Sequence, residues 1–453
     1  MISKLYRIKT KIGVLWWYSI IIFIAQRIGD VINMLLGLWF VPRYIAQDQL
    51  GAVLPLLNIG SILSLPFAIL ATPFNKYVNM FAAKNEYGKV KGMFQDLCKL
   101  SILVLVVIAI YARIAMPAIF ERLRIGDIRL AVVIIILGVL RTLIPMFTTA
   151  LQALKDFRAI TLMTVLTAPI RFVLMLFILP AKGLTGYFIA NIIPLIYSLG
   201  LIFWRLRRFF HVSITKVSYM RTDGAGMLRY TLPVACLTLL GLLASTTITF
   251  VIRHRLPVFD SAGYYIISRF SDVGCYLGNA LVFVMFPFVA ERHEQGKNSI
   301  KMLLQSLVLI TIGGLGLTIC FVFFGDFILG LTETWKNYQK LSPQMSLLTG
   351  IQCVRALITC FITYELACRR FTYVYFYSGM CLLQSLVLYG VTGFAFFKNI
   401  LPLSWIEAVL SLEPARLSFI LKFVAFFAAI NFFAMSLSLF KHYTDLSKKT
   451  AVR

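Results

Sequence analysis

Five arginines, Arg27, Arg141, Arg171, Arg269 and Arg355, fall near the middle of apolar stretches long enough to cross a bilayer. Each costs about 2.5–3.5 kcal/mol to insert at the centre of a lipid-facing helix. Asp30, Asp272 and Glu365 are the only carboxylates at comparable depth. So large an excess of positive charge implies a hydrated cavity whose guest is an anion. A guanidinium binds phosphate oxygens as a bidentate fork, so the chemistry points to phosphate or pyrophosphate. The five arginines are therefore the candidate substrate-binding residues, and Asp30, Asp272 and Glu365 the candidates for coupling a proton or sodium ion. Arg27 with Asp30, and Arg269 with Asp272, are spaced to meet on one helix face and neutralise each other. Arg141, Arg171 and Arg355 have no acid within a turn. Arg113 and Lys422 lie nearer span ends, where long side chains snorkel to the interface.

Other polar residues follow helical spacing around these arginines. Gln26, Asp30 and Asn33 share a face; so do Arg141, Pro145, Thr148 and Gln152; Thr164, Thr167 and Arg171; Arg269, Asp272, Tyr276 and Asn279; and Gln352, Arg355, Thr359 and Thr363. Thr238, Gly241, Ser245 and Thr249 form a stripe without an arginine. Such stripes face away from lipid. For the hydroxyls the simpler reading is contact between packed helices; for the arginines that reading is inadequate. Prolines at 55, 66, 145, 169, 194, 233 and 287 interrupt several spans, and bending helices suit alternating access.

The elements that must carry these residues are membrane spans. Hydrophobic residues make up 60% of the 453 and the mean hydropathy is +0.86. The pattern predicts an all-α, polytopic membrane protein with about twelve transmembrane helices, near 14–40, 50–72, 100–120, 130–151, 161–179, 183–204, 229–252, 263–289, 300–325, 344–366, 371–397 and 415–440. The first is too long for a cleaved leader. The net charge of +26 is explained by topology rather than nucleic acid. With both termini cytoplasmic, 26 of the 44 Lys and Arg lie inside and 11 outside.

The eight cysteines fall mostly within spans and form no Cys-x-x-Cys pair. The four histidines lie in loops or at span ends, so no metal site is expected, and no Walker loop is present. No cofactor is implied. The short inter-span loops leave no room for a soluble domain.

A basic connection, residues 205–228, divides the spans six and six. Phe40-Val41-x-Arg43 returns as Phe250-Val251-x-Arg253; Asp48-x-x-Gly51 as Asp260-x-x-Gly263; and Glu86-x-Gly88-Lys89 as Glu294-x-Gly296-Lys297. Pro73-Phe74 and Pro287-Phe288 close the matching spans. Constant order and near-constant offset mark a parallel repeat. It predicts an N-terminal bundle, 1–204, and a C-terminal bundle with a short tail, 229–453, around a central cavity.

On the Asp-x-x-Gly span entries and Glu-x-Gly-Lys loops, the whole chain resembles the polysaccharide-biosynthesis, O-antigen flippase-like branch of the multidrug/oligosaccharidyl-lipid/polysaccharide exporter superfamily. The resemblance implies a flippase for undecaprenyl-pyrophosphate-linked oligosaccharide in the bacterial cytoplasmic (inner) membrane, acting by alternating access in surface polysaccharide biosynthesis. Its partners would be the lipid-linked oligosaccharide, membrane lipid and a polysaccharide polymerase machinery, with the chain itself a monomer and no nucleic acid bound. Two alternatives differ in chemistry. A multidrug or metabolite cation antiporter calls for carboxylates in the cavity. A membrane-embedded polysaccharide polymerase or ligase calls for reactive acids or histidines at the outer face, where 326–343 and 398–414 offer only Asp326, Glu333, Glu407 and Glu413. The reading is therefore a transporter and not an enzyme.

Overall fold

Backbone that crosses hydrocarbon has to satisfy its own hydrogen bonds, and every regular element here is a helix, with no strand among the described residues. The computed structural model describes residues 14–83, 86–127, 129–153, 156–207, 224–294, 298–368, 370–391 and 417–451. Gly296 and Lys297, most of the 205–228 connection and the outer segment 398–414 lie outside them. So do the Gln26, Gln152 and Asn279 side chains.

The elements are α1 (Val14–Leu35), α2 (Val41–Tyr44), α3 (Gln47–Leu50), α4 (Val53–Ala83), α5 (Tyr87–Arg122), α6 (Arg129–Ala153), α7 (Phe157–Leu206), α8 (Gly224–Arg255), α9 (Val258–Glu294), α10 (Ile300–Gly330), α11 (Glu333–Lys336), α12 (Ser342–Ala367), α13 (Thr372–Val391) and α14 (Leu417–Ala451). A π-turn, Leu36–Phe40, joins α1 to α2. α7 is two rods. Gly183, at φ 51°, breaks it after Pro180, a backbone state open to glycine at little cost. Counting α7 twice and leaving out the single turns α2, α3 and α11, twelve rods of about 20 residues or more result among the described residues, each long enough for roughly 30 Å of hydrocarbon. Pro145, Pro169, Pro194 and Pro233 sit inside continuous helix and end none of them.

Caps set several boundaries. Asp156 accepts from the Ala159 amide at 3.2 Å where α7 begins, and Thr332 accepts from Trp335 at 3.2 Å where α11 begins. Glu86 and Lys89 of the first Glu-x-Gly-Lys loop close a 3.0 Å ion pair across the first turn of α5, with the ammonium over the Phe81 ring. In this copy the motif staples a tight turn.

The chain divides into two compact units, Met1–Leu232 and Pro233–Arg453. In the first, α4 packs on α6 through glycine. A Cβ at Gly138 would lie 3.1 Å from the Gly60 carbonyl and 3.0 Å from Leu63 Cβ. In the second, α9 packs on α12 the same way. A Cβ at Gly274 would lie 2.9 Å from Cys353 Sγ and 3.8 Å from Gln352 Cβ, and one at Gly278 would lie 2.6 Å from Ala356 Cβ. Ser271 completes this seam by a 3.0 Å hydrogen bond with Thr349. Gly60 and Gly274 are 214 residues apart, and so are Gly138 and Gln352. The repeat thus extends into the packed middle of the helices. At the same offset Arg141 of α6 corresponds to Arg355 of α12.

Candidate functional site

In the N-terminal unit the arginines gather around α7. Arg171 donates to Asn191 Oδ1 at 3.2 Å, across the Gly183 break, and the Asn191 amide in turn donates to the Tyr187 carbonyl at 2.7 Å. Arg141 of α6 lies within electrostatic reach of Tyr187. Arg27 and Asp30 form a 3.0 Å ion pair on α1. Between them stands Gly29, where a Cβ would lie 3.4 Å from Ala168 Cβ, one turn of α7 from Arg171. Phe40 of the π-turn meets Phe172 edge-on, fixing α1 against the same stretch.

In the C-terminal unit Arg269 pairs with Asp272 at 3.2 Å and lies over the Tyr265 ring at 5.3 Å. Sequence spacing leaves Arg355 without an acid. The fold supplies one from another helix, since Arg355 lies within electrostatic reach of Asp272 as well as of Tyr264 and Tyr377. Among the described residues the Arg355 side chain forms no ion pair and no hydrogen bond. It opens instead into a cavity of about 210 Å³. Five helices line that cavity: α8 with Gly241 and Ser245, α9 with Cys275, α12 with Gln352, Arg355 and Thr359, α13 with Tyr377, Cys381 and Gln384, and α14 with Asn431. Among the described residues Arg355 is the only charged one in the lining.

Two amides in that wall are buried and incompletely bonded. Gln384 is 6% exposed and Asn431 4%. Among the described residues Gln384 Nε2 and Asn431 Oδ1 have no hydrogen-bond partner, although Asn431 Nδ2 donates to the Phe427 carbonyl. An unpaired buried polar atom costs about 1–3 kcal/mol. Those two amide atoms are themselves closed off from the space; the cavity offers the Arg355 guanidinium fork with the Gln384 and Asn431 side chains in its wall, a set suited to an anion that also carries hydroxyl groups.

Glu365 is elsewhere. It is 5% exposed, ten residues beyond Arg355 on α12 and so about 15 Å along the axis, next to Tyr364, Cys368 and Arg370. Most hydroxyls of the sequence stripes turn back onto their own helices. Thr164, Thr238, Thr359 and Thr363 donate to the carbonyl four residues earlier, and Thr249 to the one three earlier. Asn431 escapes a stripe search because it is a single polar residue in an apolar run, and only its depth in that run marks it. Tyr377, Cys381 and Gln384 share a face of α13 that such a search passes over, since no charged residue marks it. Outside the spans, partial burial at the start of α9 raises the Asp260 carboxyl above its ordinary value.

No family model matches the chain, and no curated protein matches it. Solved structures do. An inward-facing multidrug resistance MATE family transporter of the MOP superfamily superposes with a TM-score of 0.64 at 13% identity, covering 91% of this chain and 94% of that one. A MATE protein in its straight conformation gives 0.61 at 14% identity, covering 95% of each. A MOP superfamily transporter from Pyrococcus furiosus, whose binding pocket is described as having reverse polarity that suggests a different function, gives 0.56 at 14% identity over 95% of each chain. The chain has the all-helical, two-lobed fold of these proteins.

Proposed function

We propose that this chain is a multi-pass transporter of the bacterial cytoplasmic membrane. Its cargo is an undecaprenyl-pyrophosphate-linked oligosaccharide, flipped by alternating access for surface polysaccharide biosynthesis. The observation that carries the reading is the cavity around Arg355, whose lining among the described residues holds one cation, the amide side chains of Gln384 and Asn431, and no carboxylate. Its counterpart by repeat position, Arg141, gives the N-terminal unit a cation at the same register. The roles proposed are anion binding for Arg27, Arg141 and Arg171 in the N-terminal unit and for Arg269 and Arg355 in the C-terminal unit, with Asp30, Asp272 and Glu365 the groups available for ion coupling.

A second reading, export of cationic drugs or metabolites, is favoured by the multidrug resistance function named for the structural neighbour. The two readings place opposite demands on the same residues. With the anionic cargo, replacing Arg141, Arg171 and Arg355 together by Ala abolishes polymer at the cell surface, normalised to protein in the membrane, and Lys at these positions restores part of it. With a cationic cargo the triple variant keeps its transport and Asp272→Asn loses it. Full polymer export by the triple Ala variant at normal abundance rules out the anion reading.

A further inference from the structure

A second cavity lies in the C-terminal unit, with a volume of about 480 Å³, between α10, α12 and α14. Its wall is apolar in effect: the two hydroxyls present, Thr318 and Ser346, donate to the Gly314 and Pro343 carbonyls of their own helices. α12 gives it Leu347, Gly350, Ile351 and Val354, spaced as one helical stripe. The polar cavity takes Gln352, Arg355, Ala356 and Thr359 from the same helix. The two stripes are five positions apart, about 140° around the helix. α12 thus turns one face to each cavity. α14 does likewise and contributes Ala428 to both walls. Around that shared methyl α14 gives the groove Ala425 and Ala429, with Phe432 one turn on, so the α14 side of the seam between the polar space and the apolar space is built of small residues up to that ring.

We propose that one amphiphile occupies both: its anionic, hydroxylated head against Arg355, Gln384 and Asn431, and its hydrocarbon tail over Ala428 into the groove beside Phe432. The inference rests on the anion reading above and adds to it the path by which the tail reaches lipid, through the side of the C-terminal unit between α12 and α14. The occupant is set by the pairing of the cavities. A free sugar phosphate leaves the groove empty, and an ordinary hydrocarbon has no use for the guanidinium.

The test uses the full chain in phosphatidylcholine nanodiscs with farnesyl pyrophosphate as probe. p-Benzoylphenylalanine replaces Phe432 in the groove or, as a control, Phe177, a 72% exposed residue of the N-terminal unit. Irradiation is expected to give a probe adduct at position 432 that falls about tenfold with excess inorganic pyrophosphate and with Arg355→Gln. The adduct at position 177 should respond to neither. Ala429→Phe, at an exposed groove position, should remove the 432 adduct and weaken farnesyl pyrophosphate binding about tenfold, which about two buried methylene groups suffice to supply, while inorganic pyrophosphate binding stays unchanged. A 432 adduct indifferent to pyrophosphate and to Arg355→Gln overturns the shared-ligand proposal. So does Ala429→Phe binding both probes as the native chain does, but that leaves the anion reading intact. Farnesyl pyrophosphate binding untouched by Arg355→Gln sinks both.

Discussion

Arg269 and Arg355 share one carboxylate but sit differently, and the difference predicts a split in phenotype. Arg269 holds Asp272 at 3.2 Å with each side chain about a quarter exposed. Arg355 reaches the same acid only through space and faces the cavity. Arg269→Ala should therefore destabilise the protein, on the order of 3 kcal/mol, because it strands a largely buried charge, and Asp272→Asn in the same chain should recover much of the loss. Arg355→Ala should leave thermal unfolding nearly unchanged and remove pyrophosphate binding. Unfolding in detergent and binding of inorganic pyrophosphate, measured on the same preparations, check both halves. Equal loss of stability in the two variants would show that Arg355 is structural. The sequence made these arginines legible because their insertion cost is large wherever they sit. It did not show that Arg355 lies near Asp272, 83 positions earlier, since that proximity exists only after α9 packs on α12. Nor did it single out Gln384 and Asn431, whose meaning depends on burial without partners.

At the scale of elements, glycines decide how closely the helices meet. Gly278 faces Ala356, one residue from Arg355, and the space for a Cβ there is 2.6 Å. Gly278→Val should push α9 from α12 and cost about 1–3 kcal/mol by overpacking, with a disturbed Arg355 cavity as a consequence. Gly241 lines the same cavity with nothing within 4 Å of its Cβ position, so Gly241→Ala should fold normally. Thermal unfolding of the two variants reads the contrast; equal behaviour would mean that the α9–α12 seam relaxes freely. This level was partly legible. The repeat motifs lie at turns, where few residue types fit, and so they stand out as short strings. The Gly60 and Gly274 correspondence is a packing relation, and glycine alone in a span carries no direction. The π-turn after α1 was not foreseen, because it is a local departure inside a run whose composition stays helical; the break at Gly183 falls where the spans 161–179 and 183–204 were expected to part.

For the whole molecule, hydropathy alone established an all-helical chain of about twelve spans, since crossing hydrocarbon leaves the backbone little else to do. Orientation is a separate matter. It depends on which loops carry the positive charge, and 26 of 44 basic residues fall on the side that places both termini in the cytoplasm. The expected outcome is a labelling pattern. In a background with all eight cysteines changed to Ala, the small residue that the Cys353 contact with Gly274 tolerates best, single cysteines would be placed at Lys216, Lys336 and Lys448. Lys336 is an exposed residue of α11 between α10 and α12, paired with Glu333 at 3.4 Å, and should be reached from outside intact cells by a membrane-impermeant maleimide. Lys216→Cys and Lys448→Cys should label only after the membrane is opened. Strong outside labelling at 216 or 448, with 336 protected, would invert the topology. It would also put the basic connection on the outer face, against the retention of positive charge on the cytoplasmic side from which the orientation is argued.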